Sequence, residues 1–234
     1  MYPGQVTAPQ TARARVRAEL TAEIVAAASE ELAEVGAASL SLRAVARRLG
    51  MAPSALYRYF PSRDSLLTAL IVEAYESVGA AAEGAAAQAP GGPMDRWLAV
   101  CRAVRAWAGA HPHQWALIYG SPVPGYAAPE ATVQAALRIT EVVARVVLDA
   151  GGAAPPAGVF PPGGHLEPVL EPTAQALMAG CRAETVVGAV MAWTSLIGMV
   201  GLELFGHYKG ATTTDFGPVF DYSMEVAGRV AGLA

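Results

Sequence analysis

Residues 41–67 read SLRAVARRLGMAPSALYRYFPSRDSLL, and the fold turns on how this stretch is parsed. Leu42, Val45, Ala46 and Leu49 recur at i, i+3, i+4 and i+7, which puts them on one stripe of a helix, while Arg43, Arg47 and Arg48 take the remaining surface. Gly50 follows the last periodic residue, where a chain leaving a helix often needs a positive φ. Pro53 stands where a new helix accepts it as its first residue, because the N–H it lacks would have no partner there anyway. Only Met51 and Ala52 lie between. Two short helices joined through so tight a turn form the supersecondary unit whose second helix enters the major groove of DNA.

Toward the N-terminus, Val16, Leu20, Ile24, Ala27 or Ala28, and Leu32 predict a helix from about Arg13 to Gly36, with Glu19 and Glu23 on its solvated side. Residues 1–12 hold two prolines and a glycine without periodicity and are expected to be a disordered tail. After the motif, a fourth helix is expected from Ser62, whose hydroxyl can cap it and whose first turn carries Asp64. Leu66, Leu67, Leu70 and Ile71 tie it to the core, and an alanine-rich continuation runs to a break at 89–93. Beyond it, Trp97, Cys101, Val104 and Ala108 share a stripe, His111-Pro112 interrupts the helix, and a short helix carries Trp115 and Tyr119. A proline-rich loop over 120–129 precedes a helix over 130–149, apolar nearly all round and so expected to be central. Residues 151–172 are dense in proline and glycine and read as a long irregular excursion. Two helices close the chain, at about 173–207 with a break near Gly180 and at 216–232 with Phe216, Val219 or Phe220, Ser223, Ala227 and Val230 on one face. With no alternating strand pattern, the fold class is all-α.

The chain has 234 residues, 53% of them hydrophobic, enough to bury a substantial core and too apolar for a disordered protein. Cys101 and Cys181 form neither a Cys-x-x-Cys pair nor a framework and read as buried, reduced thiols. The N-terminus shows no basic start followed by an apolar run, so a cytoplasmic location is expected. Thr185–Leu202 is uncharged for 18 residues, the lower length limit for a membrane span. Its three glycines, its Thr-Ser pair and the lack of a flanking basic cluster favour instead a helix buried between partner helices, with no membrane as a partner. The net charge of −4 is uneven: residues 1–70 carry +2 and the remainder −6, so the basic part suits phosphate and the acidic part is held away from it. There is no nucleophile elbow, phosphate loop, His-Glu-x-x-His or dinucleotide glycine pattern, so no enzyme is expected. Of the four histidines, His111 and His113 straddle a proline with no cysteine or carboxylate nearby, so neither a metal nor a cofactor is expected.

Ala46, Gly50, Leu56-Tyr57, Tyr59-Phe60, Arg63 and Leu66-Leu67 stand at the spacings of the TetR family's DNA-binding domain, and the chain resembles a TetR-family transcriptional regulator. The resemblance implies a helix-turn-helix DNA-binding domain over 13–75 and an effector-binding and dimerisation domain over 76–234. One residue departs from the pattern: Ala52 stands where relatives carry a capping serine or threonine, so a slightly frayed start is expected at the recognition helix, Pro53 to Tyr59. By the resemblance Pro53, Ser54, Ala55 and Arg58 lie on the DNA-facing side, Ser54, Ala55 and Arg58 toward base edges. Arg58 has two open readings, a bidentate contact to guanine or a phosphate contact. Arg43 matches a position that touches base or phosphate in some relatives, and Tyr59 and Arg63 match phosphate-gripping positions, the latter at a helix N-terminus. Tyr57 and Phe60 extend the apolar face and are expected in the core. Arg13, Arg15 and Arg17 are either an arm into the minor groove or a solvated helix start.

In the C-terminal half, His111-Pro112, Trp115, Tyr126, Ala192-Trp193 and the run from Leu202 to His207 are similar to one large subgroup of these regulators. That similarity implies a homodimer through a four-helix bundle of the last two helices and half-sites about one turn of DNA apart. Trp107, Trp115, Tyr119, Tyr126, Phe160 and Trp193 are the aromatic candidates for an effector pocket, and an apolar or aromatic small molecule suits so few charges. The implied function is a repressor released from a palindromic double-stranded DNA operator by such an effector. A dimeric small-molecule-binding protein with a degenerate DNA-binding domain is the alternative, against which the presence of Arg58, Tyr59 and Arg63 counts.

Overall fold

The stripe around Val45 becomes the first of two short helices, α2 (Leu42–Arg48) and α3 (Pro53–Leu56), in a computed structural model that describes residues 12–152, 166–210 and 215–233. They follow α1 (Ala12–Ser39) and precede α4 (Arg63–Gln88), α5 (Pro93–Ala110), α6 (Pro112–Tyr119), α7 (Glu130–Asp149), α8 (Glu167–Leu177), α9 (Ala183–Leu204) and α10 (Gly217–Val230). No strand occurs among the described residues, and the fold is all-α. Two compact units result, one of residues 1–70 with 123–126 and the other of 71–122 with 127–234.

In the first unit Ile24, Ala28 and Leu32 of α1, Val45 and Ala46 of α2, Leu56 of α3, and Leu66, Leu67 and Leu70 of α4 are almost wholly buried. Gly50 leaves α2 at φ 64°, the left-handed region that a β-carbon disfavours. Gly36 breaks the regularity of α1 in the same way, at φ 74° and ψ 165°. Ser62 and Ser65 cap α4 reciprocally, each side-chain oxygen accepting from the other residue's N–H at 3.1 Å. Arg48 joins α2 to α1 through Glu30, Glu31 and Glu34.

Three expectations for this unit need correction. The recognition helix is α-helical only to Leu56, and Tyr57 to Tyr59 continue as turns whose N–H groups bond back to Pro53, Ala55 and Leu56. Tyr57, about 100° of helical turn past the buried Leu56, is 43% exposed, while Phe60 is buried as expected. Val16 is 60% exposed, because α1 residues 12–19 run past the elements that cover its later turns.

The second unit gathers α5 to α10 and the part of α4 from Ile71 onward around Trp97, Val104, Trp115, Ile139, Leu196, Phe220 and Met224. The Trp97 indole N–H donates to the Met224 carbonyl at 2.6 Å, tying α5 to α10. At Gly188 a β-carbon would sit 2.6 Å from the Val230 carbonyl oxygen, so glycine is what lets α9 and α10 approach. Gly180 separates α8 from α9 at φ 82°. The end of the proline-rich excursion is helical rather than irregular, with Pro168 in the first turn of α8 and Pro172 inside it; residues 153–165 lie outside the described residues. α7 is one-sided rather than apolar all round: Ile139, Val143 and Val147 are buried while Glu141 and Arg145 are exposed. On α10, Met224 takes the buried place expected of Ser223.

α4 and α9 are long and apolar enough to span a membrane by length and composition alone. On α9, Ala192, Leu196 and Val200 face the core as in any core helix, but Val190, Met191 and Leu202 are exposed, as are Val219, Tyr222 and Val226 on α10. This open apolar face departs from a helix buried on most sides.

Gly188→Ala should lower stability by about 1–3 kcal/mol, because its methyl group meets backbone that can move only with α10. Gly84→Ala, whose β-carbon meets only the end of Gln88 at 3.9 Å, should instead stabilise by up to about 1 kcal/mol through helix propensity. Thermal unfolding of the two variants checks the pair.

Candidate nucleic-acid interface

α3 starts without a side-chain cap, as Ala52 dictates, and its Pro53 and Ser54 are exposed with Ala55 half-buried. Leu56, fully buried behind them, anchors the turn and leaves the other face to solvent. Arg58 is exposed in the turn that follows, and Arg43 is exposed on α2. Neither arginine has a hydrogen bond or ion pair among the described residues, so both guanidiniums are free to meet an anion. Arg47, exposed on α2, is likewise without a partner among the described residues, whereas two other arginines of this unit are engaged. Arg48 is committed to three glutamates of α1, as above, and Arg17 lies over the Tyr59 ring at 5.3 Å from its centroid. α1 is already helical from Ala12, so Arg13, Arg15 and Arg17 belong to a helix rather than an extended arm among the described residues.

Arg63 has a role that sequence reasoning missed. Its guanidinium donates to the carbonyls of Ala37 and Ala38 at 2.6 and 3.2 Å and lies 3.9 Å from Asp64. Those carbonyls end α1 just past its break at Gly36, where helix geometry supplies no N–H for them. Arg63 therefore clamps the α1–α2 corner to the start of α4. Its partners lie 25 and 26 residues away in sequence, and no local signal marks them.

The aromatic candidates for the pocket do not form one wall. Trp115, fully buried, and Tyr119 pack at 4.6 Å between ring centroids, with Tyr75 edge-on to Tyr119 at 5.9 Å. Burial pushes the Tyr119 hydroxyl well above its usual range and the neighbouring Tyr75 adds to this, so it stays a neutral donor. The Trp115 indole N–H, the Tyr119 hydroxyl and the Trp193 indole N–H have no hydrogen-bond partner among the described residues. Trp107 is satisfied, donating to Ser77 Oγ at 2.9 Å and stacking on His111. Tyr126 belongs to the first unit, its hydroxyl 2.9 Å from that of Thr68 on α4, and Phe160 lies outside the described residues.

Residues 24–70 match the family described as bacterial regulatory proteins, tetR family, and residues 97–227 match the Tetracyclin repressor-like C-terminal domain. The HTH-type transcriptional regulator Rv1816 of Mycobacterium tuberculosis is 38% identical over 219 residues, covering 89% of this chain and 91% of its own. A counterpart in Mycobacterium bovis, Mb1846, matches to the same extent. Among solved structures, a regulatory protein designated SCO4313 superposes with a TM-score of 0.77 at 32% identity, over 94% of this chain and 98% of its own.

Arg63→Gln should destabilise the first unit by about 1–3 kcal/mol, the range for a hydrogen bond from a charged donor to groups left without a partner. Arg58→Gln, with no partner to lose, should stay within about 0.5 kcal/mol of the parent. Denaturant unfolding measured through α-helical circular dichroism distinguishes them.

Proposed function

The chain belongs to the TetR family of bacterial regulatory proteins and is a DNA-binding transcriptional regulator; we propose on that premise that it is a cytoplasmic repressor, released from a palindromic operator by a small molecule. The observation that carries the reading is the surface of α2, α3 and the turn after them, where Arg43, Ser54 and Arg58 stand exposed while Arg48 and Arg63 of the same unit are committed to α1. Ser54, Ala55 and Arg58 reach base edges, a bidentate Arg58 contact to guanine contributing about 1–3 kcal/mol of discrimination. Arg43 and Tyr59 grip phosphates and set the register. Arg63 holds the corner that presents them, with a phosphate as a further partner for its side chain.

The homodimer forms through the exposed apolar residues of α9 and α10, two helices packed on one another that both leave large apolar side chains to solvent, as an interface does. A two-fold axis there sets two recognition helices on half-sites about one turn of DNA apart. The effector is apolar or aromatic and carries a hydrogen-bond acceptor, which the unpartnered donors of Trp115 and Tyr119 support. It acts by favouring one setting of α4, a single helix that runs from the first unit into the second, and it does so only as far as it binds the two settings differently.

Two measurements test this. In sedimentation equilibrium the parent should be a dimer and a Met191→Glu, Val226→Glu double variant a monomer; a dimer that survives both substitutions overturns the interface. On generic duplex DNA, Arg43→Ala should lower affinity and reduce the slope of log K against log salt by about 0.9, while Arg58→Ala should change binding by no more than about twofold. Equal losses in both variants would assign Arg58 to the backbone.

A further inference from the structure

Between the end of α4, the start of α5 and the second half of α7, wholly within the second unit, lies a groove of about 350 Å³ away from the aromatic cluster. Val142 and Val146 contribute to an apolar floor, and three arginines stand among its walls. Two of these are neutralised. Arg138 holds Glu83 in a two-pronged pair at 2.7 and 2.7 Å and also bonds Glu76, and Arg96 meets Asp149 at 2.6 Å. The third, Arg145, is exposed and has no ion-pair partner among the described residues, and the Nε of Arg96 is shielded from water without one. Glu141, one turn before Arg145, is likewise unpaired.

We propose that this groove is a binding site for an amphiphilic carboxylate, its apolar body on Val142 and Val146 and its carboxylate on the exposed guanidinium of Arg145. The volume suits a small organic molecule, and a guanidinium over an apolar floor is the arrangement that takes a carboxylate with an apolar tail. Glu141 sets an upper limit on affinity, since it repels the same anion. The site also has a regulatory sense, which rests on the reading of the protein as effector-controlled: a carboxylate here competes with Glu83 for Arg138, loosening the ion pairs that join α7 to α4.

The test uses 2-naphthoate, with the neutral isostere 2-naphthamide as control, titrated calorimetrically into the full-length protein without DNA. Naphthoate should bind at least about tenfold more tightly than the amide, Arg145→Gln should remove that advantage, and Glu141→Gln should tighten naphthoate by about twofold or more. Neither variant breaks a direct ion pair among the described residues, and Arg145 attracts Glu83 only at longer range, so both should unfold close to the parent. Equal affinity for acid and amide, no detectable binding of naphthoate, or an Arg145→Gln variant that binds it unchanged would each overturn the proposal. If Trp115→Phe weakens naphthoate and Arg145→Gln does not, the ligand sits in the aromatic region and the groove proposal fails while the effector reading stands.

Discussion

A helix of four residues cannot hold its own shape in water, because it forms too few hydrogen bonds to offset the cost of starting a helix. α3 is such a helix, and it lacks a capping side chain as well. Everything the protein does at DNA therefore depends on burying Leu56 and Phe60 in the core of the first unit, where Ile24, Val45 and Leu66 are buried too, which imposes from outside the geometry that α3 cannot impose on itself. The polar clamps serve the same end. Arg48 pins α2 to α1, Ser62 and Ser65 fix where α4 begins, and Arg63 closes the corner over the last carbonyls of α1.

This division of labour explains which arginines are free. Arg17, Arg48 and Arg63 are engaged with a ring, carboxylates or carbonyls, while Arg43 and Arg47 on α2 and Arg58 after α3 are not. A surface made only of unpaired cations would attract any anion; set on a rigid framework, the same cations can be held in register with one another, which separates reading bases from coating phosphate. The second unit repeats the theme at larger scale. Glycine at position 188 lets α9 and α10 close on each other, and their outer apolar residues remain exposed in the single chain.

Much of this was legible in the sequence because its causes are local. The Leu42, Val45 and Ala46 stripe, the positive φ at Gly50, the Ser62 cap and the break at Gly180 each follow from residues within a turn or two of one another. What escaped is what long-range packing decides. The exposure of Tyr57 depends on which side of Leu56 the core of the unit lies, the carbonyl partners of Arg63 belong to a distant helix end, and Tyr126 joins the first unit through Thr68. The one-sidedness of α7 was readable, since Arg138, Glu141 and Arg145 are spaced by three and four residues and so share a face; the surrounding valines masked it. Which aromatic side chains would keep an unpaired donor had no counterpart in the sequence at all.

The most direct test of the account is selection from random-sequence duplex pools at two salt concentrations, followed by sequencing of the retained DNA. The account predicts a palindrome whose half-sites are centred about one helical turn apart, enriched more strongly at the higher salt, where phosphate attraction fades and base contacts decide. Binding that vanishes with salt and leaves no enriched sequence would contradict it, and would leave the chain a ligand-binding protein whose helix-turn-helix no longer reads DNA.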